Sequence, residues 1–109
     1  MSIILQVNFT PGPDHAAQSA HEKQEAARRI AALPGLSWKI WIHEETGNTR
    51  GGIYLFDDLA SAKAWGDDQL TPRLHEKGAS DISIRYFAIN EEASRITNAP
   101  LEARQAVAA

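Results

Sequence analysis

Residues 3–10, IILQVNFT, alternate in polarity. Ile3, Leu5, Val7 and Phe9 share one face, and Ile4, Gln6 and Asn8 share the other, which is the period-two pattern of a strand. Pro11-Gly12-Pro13 ends it. Asp14 is placed to cap a helix running to about Leu33, with a stripe of Ala16, Ala20, Ala27, Ile30 and Ala31. The stripe has helical spacing but little bulk. Pro34-Gly35 stops that helix. Residues 36–45 and 50–56 predict two strands joined through Thr46-Gly47-Asn48 as a hairpin. Asp57-Asp58 then caps a second helix with Leu59, Ala62 and Trp65 on its inner face. Gly66 and Pro72 interrupt it, and Thr71-Pro72 reads as a fresh N-cap and first-turn pair, so two helical pieces end near Lys77-Gly78. Residues 81–90, DISIRYFAIN, predict a fourth strand. Asn90-Glu91-Glu92 caps a short last helix to about Thr97, and LEARQAVAA after Pro100 reads as a weak, frayed helix.

The order β-α-β-β-α-β predicts an α+β, ferredoxin-like fold: a four-stranded antiparallel sheet with helices on one face. A single domain over residues 1–109 is expected, with a core of about 1–90 and a helical tail of about 91–109. The sheet raises a difficulty. Trp38 and Trp41 are three apart on one strand, so their rings point to opposite faces. Strands one and four also carry large apolar residues on both sides. Helices cover only one face, and an apolar sheet left in water calls for a cover. A second copy, sheet against sheet, is the simplest one and predicts a homodimer. Ile96 needs a surface as well, so residues 91–99 are expected to reach over the partner or the rim of the assembly.

Composition narrows the classes. The chain has 109 residues, 43% hydrophobic and 23% charged, with a net charge of −3, which is ordinary globular composition. Acidity disfavours nucleic acid and anionic membranes as partners. The absence of cysteine removes disulfides, thiolate catalysis and Cys-based zinc sites. There is no basic leader and no run near the roughly 20 apolar residues a membrane span needs, so a cytoplasmic location is expected.

The histidines at 15, 21, 43 and 75 form no metal-ligand spacing, and no metal site is predicted. Arg50-Gly51-Gly52 superficially matches an RNA-binding signature, but Gly52 stands where an aromatic would have to stack a base. What remains is a set of polar and aromatic residues on strand faces: Gln6 with Asn8, Lys39 with Trp41 and His43, Tyr54 with Phe56, and Arg85 with Phe87. Buried amides, imidazoles and guanidinium groups need partners or a ligand. Beside an alanine-rich helix that leaves room over the sheet, they suggest a pocket. The strand register is not legible from the pattern, so the face that lines the pocket stays open.

Pro34-Gly35, Trp38-Lys39-Ile40-Trp41, Gly51-Gly52-Ile53-Tyr54-Leu55-Phe56-Asp57 and Phe87 through Asn90-Glu91 closely resemble the YdhR-type monooxygenases, from the first strand to about Leu101. The resemblance implies a dimeric α+β barrel, the group that includes the antibiotic-biosynthesis monooxygenases. It also implies a homodimer whose two sheets close the barrel. Relatives in that group oxidise aromatic polyphenols or quinols with dioxygen and without metal or flavin; others degrade haem. Their pockets lie between sheet and helices and use an Asn late in the first strand with Trp, Tyr and sometimes His or Arg. Asn8 stands at that place, and Trp41, Tyr54 and His43 match by residue type and strand. No histidine on the fourth strand or second helix stands out as a haem ligand. The expectation is a monooxygenase that uses no cofactor and acts on a small aromatic substrate, hydroquinone- or polyphenol-like. His43 would be the base, Asn8 and Arg85 would stabilise an oxyanion, and Trp41 and Tyr54 would hold the ring. Gln6, Trp38, Phe56, Trp65 and Phe87 complete the substrate-binding candidates. The competing expectation is a dimer that binds a small ligand in the same pocket, as sensor or carrier, without turning it over.

Overall fold

The computed structural model describes residues 1–13 and 18–101. Strand β1 is Ile3–Thr10, helix α1 Ala20–Ala31, strand β2 Leu36–His43 and strand β3 Arg50–Phe56. Helix α2 is Leu59–Trp65 and continues through a π-helical turn, Gly66–Leu70, into helix α3, Thr71–Glu76. Strand β4 is Ser80–Ala88 and helix α4 Glu91–Ile96. The strands pair antiparallel in the order β2-β3-β1-β4, the ferredoxin-like arrangement expected from the sequence.

Register sorts the strand residues into two faces. Leu5 pairs with Tyr54 and with Tyr86, and Tyr54 pairs in turn with Lys39. Ile3, Leu5, Val7, Phe9, Leu36, Tyr54 and Phe56 form a core with Ala62, Trp65 and Leu74 of the helices, with Ile30 and Leu33 packed against it. Gln6 pairs with Ile53 and Arg85, so Ile4, Gln6, Asn8, Ile53, Leu55, Arg85 and Phe87 belong to the opposite face. An irregularity between Leu36 and Trp38 sets the final register of β2: Trp38 lies opposite Leu55 and Trp41 opposite Gly52. The two tryptophans therefore take opposite faces, as expected.

Several boundaries differ from the sequence reading. The described part of the first helix starts at a capping box, where Ser19 Oγ accepts from Glu22 N–H and Glu22 accepts from Ser19 N–H. Asp14 and Ala16 lie outside the described residues, as does 102–109, where a frayed helix is expected. A second helical piece does begin at Thr71, with Pro72 in its first turn and its end at Lys77, as expected, but Thr71 is its first helical residue and not its N-cap. Thr71 N–H and Oγ1–H both donate to the Gly66 carbonyl, the hydroxyl at 2.6 Å, and the backbone remains helical through both residues' neighbours. Pro72 lacks an N–H and its ring presses on the carbonyl four residues back, so the chain widens into a π turn just before it instead of breaking. Leu59, expected inside, is 42% exposed, while Ala62 and Trp65 are buried. After α4, capped by Asn90, the chain turns back so that Trp38 Nε1 donates to the Pro100 carbonyl at 2.8 Å. Ile96 stays 77% exposed.

Candidate active site

A cavity of about 540 Å³ lies between the sheet and the helices. Its origin is the thin helix α1. That helix has no buried residue and presents Ala26 and Ile30 to the lining, with Leu33 just past its end. Alanines cannot fill the roughly 10 Å layer over a sheet, and space is left above β1, β2 and β3. Val7, Phe9, Gly52 and Tyr54 form the floor. Trp41 stands on the β2 side, and Trp65 closes the helical end.

Lys39 enters this space. Its Nζ sits 3.3 Å from the Trp41 ring centroid and 4.7 Å from that of Tyr54. It makes no hydrogen bond or ion pair with any described residue. Burial disfavours the ammonium and lowers the amine to about 7. Gly52, directly opposite Trp41, makes this position possible: a Cβ there would run into Lys39 Cε and lie 3.3 Å from Nζ.

Tyr54 and Trp65 meet at 6.4 Å between centroids. Burial pushes the Tyr54 hydroxyl up to about 12, with the Trp65 indole opposing that rise. The indole N–H nonetheless closes no hydrogen bond of good geometry. Trp65 Nε1 is the buried side-chain nitrogen or oxygen left without a partner among the described residues. Lys39 Nζ thus enters the cavity with no acceptor among the described residues, and Trp65, whose indole nitrogen is itself buried, closes the helical end.

The family model "Putative mono-oxygenase ydhR" matches residues 4–100. The chain belongs to that family. A crystal structure of a putative antibiotic biosynthesis monooxygenase from Deinococcus radiodurans shares the fold, with a TM-score of 0.60 at 16% identity, covering 81% of this chain and 92% of that one. No curated protein matches the chain at a significant level.

The register divides the candidate residues of this family member. Trp41, His43, Tyr54 and Trp65 line the cavity. His43 stands exposed near its mouth, in register with Arg50. Phe56 is fully buried beneath, stacked on Tyr54 at 5.9 Å, and supports the floor without reaching the space. Gln6, Asn8, Trp38, Arg85 and Phe87 lie on the other sheet face. There Gln6 Nε2 donates to Asn8 Oδ1 at 3.1 Å, and the Arg85 guanidinium lies 5.1 Å from the Phe87 ring. One sheet separates the two groups. Lys39 is the site residue the sequence reading passed over. Its signal was present, since it shares a face with Trp41 and His43, but its meaning required the register that puts Gly52 and Tyr54 beside it. Among the described residues no group of three or more His, Cys, Asp or Glu side chains is placed to hold a metal ion, and no helix is long and apolar enough to cross a membrane.

Proposed function

We propose that the protein is a monooxygenase for a small phenolic substrate, taken into the cavity between sheet and helices and working as a homodimer without an organic cofactor or metal. Family membership supports the reaction class. The aromatic substrate is supported by one observation above all: a lysine amine held among the rings of Trp41 and Tyr54, in a cavity whose far end is closed by the Trp65 ring. Rings of this kind stack a flat substrate and exclude water. The neutral Lys39 amine accepts the proton of the substrate hydroxyl, leaving a phenolate beside the new ammonium. A phenol with an open para carbon, oxidised to a quinone, gives up four electrons; dioxygen takes four to become one inserted oxygen and one water. The electron count closes between the two substrates.

The test is oxygen uptake by metal-stripped protein with a panel of phenols and hydroquinones, carried out under ¹⁸O₂. One labelled oxygen per quinone formed, at a rate proportional to protein, is the expected result. Saturable binding of the same compounds with no uptake would instead indicate a carrier or sensor that uses the same cavity.

A further inference from the structure

The charges of this molecule are unevenly placed. The chain is acidic overall, with 14 acidic and 11 basic residues. Yet Lys23, Arg29, Lys39, Arg50, Arg73 and Lys77 all line the cavity, against one carboxylate, Glu44. More than half of the basic residues therefore gather around a single space that nearly all of the acidic ones among the described residues avoid. Solvated helix surfaces usually intersperse the two signs, and α1 does so on its other side, where Arg28 pairs with Glu25 at 2.8 Å. Lys39 is the neutral amine of the proposed reaction; the other five are cations, and they make no ion pair among the described residues. Glu44 is already engaged, accepting from Thr49 N–H at 3.2 Å across its own turn. The five cations come from three elements: Lys23 and Arg29 from α1, Arg50 from β3, and Arg73 with Lys77 from α3 and the residue after it. Arg73 lies over the Trp65 ring at 5.8 Å, which brings one guanidinium to the ring that carries the unpartnered indole donor. A ring of like charges focuses its field inside a low-dielectric cleft and draws in the opposite sign.

We infer that the substrate is an anion: an aromatic ring that carries, besides its reactive hydroxyl, a carboxylate or comparable acidic group held by the cations at the cavity rim. This rests on the monooxygenase reading for the hydroxyl but not for the charge, and the two can fail separately.

The experiment is titration of tryptophan fluorescence with 4-hydroxybenzoate, 4-hydroxybenzenesulfonate and 4-hydroxyphenyl phosphate, against the neutral 4-hydroxybenzamide. At least one anion is expected to bind about tenfold or more tightly than the amide, with an affinity that falls as salt rises. Which of the three binds best identifies the acidic group. In the Arg29→Gln/Arg73→Gln double variant, made at two exposed positions, the preference should shrink several-fold. Arg28→Gln/Arg95→Gln, which removes two cations outside the cavity, should keep it. Amide and anions binding within twofold of each other, no anion binding at millimolar concentration, or an unchanged preference in the rim variant would each overturn the inference. Selective anion binding together with no ¹⁸O incorporation into phenols whose para carbon is open, the anionic 2-hydroxybenzoate among them, would remove the oxygenase reading and leave the charge preference standing. Turnover of neutral phenols with no preference for anions would do the reverse.

Discussion

Lys39 carries a penalty that depends on pH. Its ordinary value of 10.5 applies to the unfolded chain, and burial lowers the folded value to about 7. Between those values the unfolded chain holds a proton that the folded chain lacks, so stability rises with pH across that window. Below about 7 the buried ammonium opposes folding in full. The urea midpoint of the wild type should therefore climb from pH 6.5 to pH 9.5. Lys39→Met, which keeps an apolar stem among Trp41 and Tyr54, should flatten that climb and be the more stable protein at the acidic end. In turnover the same variant should lose roughly 10²-fold, the usual worth of a positioned base. Lys39→Arg should lose as much, because a guanidinium does not give up its proton at these pH values. A wild-type midpoint that does not move with pH would mean that the amine is solvated and is no base. The sequence displayed the pairing of Lys39 with Trp41 but not its surroundings. Alternation along one strand tells which residues share a face; only register tells which glycine stands opposite, and here the irregularity at Leu36/Trp38 sets that register.

Element by element, the legible signals were those that act within a few residues. Alternation placed all four strands, and Asp58 and Asn90 cap α2 and α4, accepting from Ser61 N–H at 2.7 Å and Ala93 N–H at 3.0 Å. Helix ends are harder to read where two local rules compete. Asp14 lies outside the described residues; for the helix from Ala20 the sign is Glu22 three residues after Ser19, which closes the reciprocal pair. Thr71-Pro72 does open the second piece, with the proline in its first turn, but the π turn keeps that piece continuous with α2, and Tyr86 Oη–H donates to Asp67 at 2.7 Å and ties the run to β4. Helix α1 buries no residue and so relies on its ends more than most. Ser19→Ala should cost about 0.5–2 kcal/mol. Because so little holds α1 down, the loss should appear locally, as faster hydrogen exchange of the amides from Glu22 to Ala26, with the strands unaffected. Equal acceleration in β1 and β3 would show that the helix and the sheet open together.

At the scale of the whole molecule, the sheet face away from the helices decides the assembly. Ile40 is 51% and Phe87 38% exposed there, and Ile4, Trp38, Ile42 and Ile53 are half-buried around them. This apolar field surrounds a polar pair, Gln6 and Asn8, whose side chains already bond to each other. The pair can therefore be covered at lower cost than two separate amides, each of which would lose its water unpaired. Nothing within the described chain covers most of this face; the return at Pro100 reaches only the Trp38 end. A second copy placed sheet to sheet would bury both fields at once, and a dimer made this way should bury on the order of 2,000 Å² in total. It would also leave the cavity on the outer, helical side of each copy, so that dimerisation supports the site without plugging it. Ile40→Glu tests this cleanly. The side chain is half in water in a single copy, so a carboxylate there does little to the fold of one chain, whereas across a two-fold interface it buries charge twice. Sedimentation of the wild type at micromolar concentration should give a dimer, and Ile40→Glu should shift it to monomer with secondary structure retained. A wild type that sediments as a monomer, or a variant that stays dimeric, would mean that this face is covered in some other way and that the two cavities work independently of any partner.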